Sequence, residues 1–244
     1  TVSVIATASN TVVATVPVVA GVFSATVTLA EGGHALTARA LDAAGNLSAA
    51  SPAVSVTVDS VPPAKPSLAL GVASPTRVQP VPFGGTAEPA ATVELLEGGA
   101  VIATVLADGG GAFSAAPSLG EGSHVLVARA KDAAGNVGPD SDPVTVLVDR
   151  TPPGVPLVSV PADGAVLGLD EAPGGVVAVS GSAEVDATVE LQVSGVPLPA
   201  VAAGADGAFS TTVSLADGDY LVSARAVDAA GNAGGWSVPS AFTL

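Results

Sequence analysis

The stretch Thr37-Ala-Arg-Ala-Leu-Asp-Ala-Ala-Gly-Asn46 occurs three times in this chain with few changes. It returns as Val127-Ala-Arg-Ala-Lys-Asp-Ala-Ala-Gly-Asn136 and as Ser223-Ala-Arg-Ala-Val-Asp-Ala-Ala-Gly-Asn232, at offsets of 90 and 96 residues. A repeat of this length indicates whole domains in tandem, because the units of a solenoid are much shorter. We therefore divide the 244 residues into three units, at 1–59, 60–149 and 150–244.

Apolar and polar residues alternate around each copy, which is typical of half-buried β-strands. In the second unit, Leu126 and Ala128 would face one side of a strand, and Val127 and Arg129 the other. Clusters of Gly, Asp and Asn separate these short runs, and no stretch has the period of a helix. The pattern predicts an all-β fold of antiparallel β-sandwiches, with about seven strands in each unit.

Short Pro-Pro segments, Asp59-Ser-Val-Pro-Pro63 and Asp149-Arg-Thr-Pro-Pro153, join the units. Adjacent prolines restrict the backbone, so we expect semi-rigid linkers. The first unit is expected to be incomplete, because Thr1-Val-Ser-Val4 aligns with Thr92-Val-Glu-Leu95 and leaves no equivalent of the first two strands. Two interpretations stay open: the chain is a shortened form of a longer protein, or a strand from another chain fills the gap.

Composition excludes several classes of function. Seven Lys and Arg against 22 Asp and Glu give a net charge of −15, which argues against binding to nucleic acid or to an anionic membrane. The absence of cysteine removes disulfides, zinc-thiolate sites and thiol chemistry. The chain has no methionine and no charge-free run suited to a membrane span, so we expect an excerpt from a longer protein with no membrane insertion in this segment.

Four motifs carry a family resemblance: Gly85-Thr-Ala-Glu-Pro89 with Gly181-Ser-Ala-Glu184, the Gly-Ala-Phe-Ser turn, the Asp-Ala-Ala-Gly-Asn loop and the Val-Asp-x-x-Pro-Pro linker. They resemble the bacterial Ig-like repeats of giant secreted adhesins and biofilm-associated surface proteins. The resemblance covers nearly the whole chain and implies tandem Ig-like domains in a secreted or cell-surface protein. It also implies that the partners are neighbouring domains of one long chain and an unknown surface receptor or glycan.

Acidic residues are expected to gather at both joints. If the strands run up and down in turn, the loop after the second strand and the loop after the sixth return to the linker end of each sandwich, where they meet the last residue of the preceding unit. The predicted groups are Asp59, Glu88 and Asp132 at the first joint, with Asp108 nearby, and Asp149, Glu184, Asp186 and Asp228 at the second, with Asp206 nearby.

Calcium is the cofactor that these groups predict. Carboxylates crowded together repel one another unless a cation lies between them, and Ca²⁺ accepts six to eight oxygen ligands in loose geometry. The adhesin resemblance implies the same metal at such joints. A purely structural alternative is also open, in which Asp132 and its equivalents accept backbone N–H groups of their own turn.

We expect no enzymatic activity, because no nucleophile, acid and base recur together. His34, His124 and Tyr220 share one repeat position and are expected to bond back to the preceding loop. Phe23, Phe113 and Phe209 are predicted core residues. The expected function is a calcium-stiffened stalk of an adhesin. The alternatives are a filament subunit that binds other copies of itself by strand donation, and a glycan-binding or spacer module of a secreted enzyme, for which Trp236 would be the stacking residue.

Overall fold

A computed structural model describes residues 1–168 and 170–244 of the chain. The described strands fall into three groups that follow the sequence repeat, and they pair antiparallel apart from one short parallel pair. The only helix among the described residues is the 3₁₀ turn Pro173–Gly175. No helix in these ranges has the length and apolar character needed to cross a bilayer. The predicted all-β fold of tandem sandwiches, with an incomplete first unit, is confirmed.

The first group forms a single sheet in the order β2-β1-β3-β4. Its strands are β1 (Val2–Ala6), β2 (Thr11–Val16), β3 (Gly32–Ala40) and β4 (Val54–Val58). No second sheet covers this one within the described residues. Val2 is accordingly the only hydrophobic residue described in 1–59 that is buried.

The second group forms a sandwich of two sheets. One sheet has the order β11-β10-β7-β8 with β12 also paired to β10, and the other has the order β5-β6-β9. The strands are β5 (Ala69–Leu70), β6 (Phe83–Thr86), β7 (Thr92–Glu97), β8 (Ala100–Leu106), β9 (Ala112–Ala115), β10 (Gly122–Lys131), β11 (Val137–Asp140) and β12 (Val144–Val148). Leu95, Leu126 and Val146 are fully buried between the sheets, because alternate residues of each strand face inward.

The third group repeats this arrangement with an extended beginning. Its sheets have the orders β13-β15-β19 and β14-β21-β20-β16-β17, with β18 also paired to β16. The strands are β13 (Leu157–Val160), β14 (Ala165–Val166), β15 (Val176–Ser182), β16 (Thr188–Val193), β17 (Val196–Pro197), β18 (Val201–Ala202), β19 (Ala208–Ser214), β20 (Asp219–Val227) and β21 (Ser240–Thr243). The six additional residues of this unit precede β15, as the repeat offsets predict.

The prediction that three phenylalanines are core residues is right for two of them and wrong for the first. Phe113 and Phe209 are 6% and 3% exposed, whereas Phe23 is 44% exposed. Phe113 lies opposite Gly85 of β6, and Phe209 lies opposite Gly181 of β15. Phe23 is exposed because the first unit has no equivalent strand to cover it.

The three residues at the shared repeat position all bond back to the preceding loop, as predicted. The side chains of His34, His124 and Tyr220 each donate to the carbonyl oxygen four residues earlier, at Ala30 (2.7 Å), Gly120 (3.1 Å) and Ala216 (3.0 Å). Imidazole and phenol therefore do the same structural work at the start of β3, β10 and β20.

Candidate functional site

The two linkers and the loops beside them form the candidate site. The repeated Asp-Ala-Ala-Gly-Asn loop is closed by its own aspartate. In the second unit, Asp132 Oδ1 accepts the backbone N–H groups of Gly135 (2.7 Å) and Asn136 (2.8 Å), and Oδ2 accepts Asn136 Nδ2–H (2.8 Å). Gly135 has φ = +97°, a conformation that favours glycine. Asp42 and Asp228 accept hydrogen bonds from Asn46 and Asn232 in the same way.

These contacts stabilise the ionised loop aspartates. Desolvation acts to raise the pKa of Asp132, but the hydrogen bonds from the Asn136 side chain, the Asn136 backbone and Gly135 outweigh it and lower that pKa below its usual value. Hydrogen bonds from Asn46 likewise lower the pKa of Asp42. The structural alternative drawn from the sequence is therefore present in the molecule: the carboxylate holds the turn.

The linker aspartates make short turns of their own. Asp59 Oδ1 accepts the backbone N–H of Val61 (3.1 Å), and Asp149 Oδ1 accepts that of Thr151 (3.0 Å). A carboxylate that accepts the N–H two residues ahead is an Asx turn, which fixes the direction in which the chain enters the two prolines.

The remaining predicted acids belong to other loops, where they lie beside residues that follow the linker or take part in separate turns. Glu88 lines a shallow hollow together with Ala64 and Lys65, and Glu184 lines the equivalent hollow with Gly154 and Val155. Asp186 occupies a left-handed turn position with φ = +60°. Asp108 accepts hydrogen bonds from Gly110 and Ala112, and Asp206 accepts one from Ala208.

The predicted carboxylates do not converge on one point in the described ranges. Over residues 1–168 and 170–244, no three His, Asp or Glu side chains lie close enough together to hold a metal ion. The oxygens of Asp132 and Asp228 already accept hydrogen bonds within their loops. As arranged, the residues do not fit Ca²⁺, which takes six to eight oxygens. Calcium at the joints stays a prediction that no observation tests.

Two asparagines that the sequence reasoning did not single out make the contacts across each joint. Asn136 Nδ2–H donates to the carbonyl oxygen of Asp59 (3.0 Å), and Asn232 Nδ2–H donates to that of Asp149 (2.9 Å). Each asparagine thus binds its own loop aspartate and the linker of the preceding unit. Asn232 is buried, at 5% exposure. The signal was available in the repeat itself, because the asparagine recurs as strictly as the aspartate.

Two glutamates of the preceding units hold the linkers from the other side. Glu31 Oε1 accepts the backbone N–H of Ser60 (2.9 Å) and also the Ser60 hydroxyl. Glu121 Oε1 accepts the backbone N–H of Arg150 (2.9 Å) and the hydroxyl of Thr151 (3.3 Å). The hydrogen bond from the Arg150 backbone is the main cause of a lowered pKa of Glu121. Glu31 and Glu121 are 90 residues apart, so the repeat offset could have revealed them.

Trp236, the stacking residue that a glycan-binding module would need, lies on an outer face of the third unit. Trp236 is 41% exposed, and the Arg225 guanidinium lies 5.0 Å from the centre of its ring. Arg225 Nε also donates to Glu190 (2.6 Å). In the second unit the equivalent arginine, Arg129, pairs with the equivalent glutamate, Glu94, and also with Asp140, which occupies the repeat position of Trp236. Trp236 therefore packs on its own domain through a cation–π contact.

Comparison with known proteins finds one matching family model and several similar solved structures. Residues 74–150 match the family model described as bacterial Ig-like domain. No curated protein matches the chain. The fibronectin(III)-like modules of Clostridium thermocellum CbhA are similar at 16% identity and a TM-score of 0.45, over 72% of this chain and 92% of that one. The human OSCAR ligand-binding domain is similar at 20% identity and a TM-score of 0.33, over 75% of this chain and 100% of that one. Residues 74–150, which make up most of the second unit, are thus similar to a bacterial Ig-like domain.

Proposed function

We propose that this chain is a structural stalk segment of a secreted or cell-surface bacterial adhesin, in which Ig-like domains in series carry a binding region away from the cell. The observation that carries the proposal is the repetition of the joint. Both linkers are held by the same residue types on the same backbone atoms. Independent binding modules on flexible tethers would not need the same joint twice, since relative motion is the default for domains in one chain.

The chemistry of the chain supports a mechanical role over catalysis. The recurring polar side chains form hydrogen bonds within turns, at strand ends and to linkers, as Asp132, His124 and Asn136 show. The sequence has no recurring set of nucleophile, acid and base, and we expect none of the units to turn over a substrate. The adhesin's receptor would then be bound elsewhere in the parent protein, with this segment acting as the spacer.

Antibodies raised against residues 60–149 test the location that the proposal requires. They are expected to label intact cells that produce the parent protein, and brief protease treatment of those cells is expected to remove the signal. A cytoplasmic protein of the same cells is the control for lysis. Labelling only after the cells are permeabilised would contradict the proposal.

Calcium at the joints, the cofactor that the sequence predicts, is an alternative way of stiffening the proposed stalk. A metal would have to draw on the oxygens of Asp59, Asp149, Glu88, Glu184 and Asp186, together with Asp132 and Asp228. A site assembled from them would stiffen the linker by joining two units. If calcium stiffens the joints, isothermal titration of the metal-free chain with Ca²⁺ gives one binding event per joint, whereas no heat of binding would remove calcium from the proposal.

A second candidate function is favoured by the uncovered sheet of the first unit. The inward residues of β7 and β10 in the second unit are fully buried, whereas their counterparts Val4, Leu36 and Ala38 in the first unit are only partly buried. An uncovered apolar face gives added strands a surface to pack on, and the unpaired edges of the same sheet can hydrogen-bond to them. The first unit would then receive strands from another copy and build a filament.

The complete units show what the incoming strand must look like. A side chain at Gly85 would lie 2.8 Å from the Phe113 ring, and one at Gly181 would lie 2.7 Å from the Phe209 ring. Both positions therefore require glycine where the strand crosses the phenylalanine. A strand that covers Phe23 needs a glycine at the same place.

A labelled peptide of residues 64–90 tests strand donation on the full chain. We expect fluorescence anisotropy to show binding, and the same peptide with Gly85→Val to bind much more weakly because its side chain meets the Phe23 ring. Equal binding of both peptides, or none of either, would rule out strand donation. Size-exclusion chromatography of the chain alone reports whether copies already assemble.

A further inference from the structure

The backbone of each linker is fully engaged between its aspartate and its prolines. In the second linker, Arg150 N–H donates to Glu121 and Thr151 N–H donates to Asp149, and the two prolines that follow have no N–H. In the first linker, Ser60 N–H donates to Glu31 and Val61 N–H donates to Asp59. No donor in either segment depends on water.

The two side chains that bind each linker belong to different units. The glutamate that accepts the linker N–H comes from the loop just before β3 or β10, in the unit that precedes the linker. The asparagine that donates to the linker carbonyl comes from the unit that follows it. The carbonyl and the N–H of a single peptide group, Asp59–Ser60 or Asp149–Arg150, are thus held by residues of two different units.

A glycine lets the linker lie directly on the following unit. A Cβ at Gly234 would lie 2.5 Å from the carbonyl oxygen of Pro153, and a Cβ at Gly138 would collide with that of Pro63. The glycine requirement at both joints shows that the second proline packs against backbone, with no room for a side chain. The first unit carries Ser48 at this repeat position.

We infer that each joint is a clamp formed by the chain's own Glu, Asn and Gly residues, and that the clamp fixes the angle between neighbouring units without a metal ion. The inference deepens the proposed stalk, on which its biological role rests. The clamp is defined by Glu31, Asn136 and Gly138 at the first joint and by Glu121, Asn232 and Gly234 at the second. The acids predicted to hold calcium instead shape the loops and the linker turns that present these residues.

Pulsed electron paramagnetic resonance across the second joint measures the clamp directly. The chain has no cysteine, so spin labels are placed at the exposed positions Thr104 and Ser210 by Thr104→Cys and Ser210→Cys. The full chain is expected to give one narrow distance distribution, which stays unchanged when EDTA is added. Glu121→Ala combined with Asn232→Ala is expected to broaden it at least about twofold, because unclamped domains reorient freely.

Two further variants distinguish loss of the clamp from loss of the Asp-Ala-Ala-Gly-Asn loop structure. Asn46→Ala removes the matching contact to Asp42 but lies outside the second joint, so the distribution should stay narrow. Gly234→Ala leaves the Asn232 loop intact and displaces only the linker, so it should shift or broaden the distribution. A wild-type distribution that broadens with EDTA would overturn the inference in favour of a metal. Distributions that stay narrow in the double variant and in Gly234→Ala would overturn it as well. Neither result depends on where the protein resides in the cell.

Discussion

At the scale of single residues, the carboxylates of this chain bind backbone N–H groups. Each of Asp132, Asp149 and Glu121 accepts at least one. A carboxylate that accepts backbone hydrogen bonds is stabilised in its ionised form, so its contribution to the folded state depends on pH. The linker contacts of Glu121 are therefore sensitive to acid in a way that the Asn232 contact is not.

Glu121→Gln is expected to make the chain less sensitive to acid. The Arg150 backbone N–H lowers the pKa of Glu121 in the folded protein below its usual value of 4.5. Its contribution is then fully present above about pH 4.5 and is lost as the pH falls through the lowered folded pKa. Melting temperatures of wild type and variant should differ at pH 7 and approach each other as the pH falls below about 4.5. Glu184→Gln, which removes an exposed carboxylate of the next unit, is the control. A difference that does not shrink as the pH falls would contradict this account.

At the scale of strands, the packing of each sandwich depends on one glycine opposite one phenylalanine. Gly85→Ala is expected to destabilise the second unit by about 3 kcal/mol, because the new methyl group meets the Phe113 ring and the Ser67 backbone, which cannot both move away. Gly84→Ala is the matched control, because its methyl group would lie 3.5 Å from the Phe113 carbonyl oxygen, an ordinary contact. Hydrogen exchange of the β6 and β9 amides measures both. Equal effects would show that the close approach does not set stability.

Removal of the phenylalanine side chain is expected to have unequal effects in the first and second units. Phe113→Ala is expected to cost about 3–5 kcal/mol, since the ring is almost fully buried. Phe23→Ala is expected to cost less than about 1 kcal/mol, because its ring is already 44% exposed. Hydrogen exchange of β3 and β10 gives the two values from one chain. A large loss in β3 on Phe23→Ala would mean that the ring is covered in solution.

How much of this architecture the sequence predicts depends on the kind of feature. Alternation and the repeat predict strands such as β10, because the side-chain period of a strand is independent of its neighbours. The repeat offset also places the six additional residues before β15. The joint was predicted only in outline. The up-and-down order of the strands predicts that Asp59 and Asp132 come to the same end of the sandwich. It did not show that Asp132 is satisfied within its own turn or that Asn136 makes the contact, because those depend on side-chain direction.

At the scale of the whole molecule, the three repeated units differ in how well their apolar side chains are protected from solvent. The second and third units each enclose a core between two sheets, whereas the first is a single four-stranded sheet. A sheet with one open face cannot exclude water from its apolar side chains, so most of its stability must come from pairing within the sheet. The clamp at the first joint thus connects the unit with the open sheet to a unit with an enclosed core.

Native-state hydrogen exchange of the full chain is expected to show this difference. Amides of β1, β3 and β4 should exchange together and much faster than the equivalent amides of β7, β10 and β12, because opening the first unit exposes little additional apolar surface. The rates in the first unit should not depend on protein concentration if the chain is monomeric. Protection that rises with concentration would instead indicate that another copy covers the Phe23 face, which is the outcome that strand donation requires. Equal protection of all three units at low concentration would mean that the open sheet is stable by itself. That result would contradict the link between burial and stability, on which the expected difference between Phe23→Ala and Phe113→Ala depends.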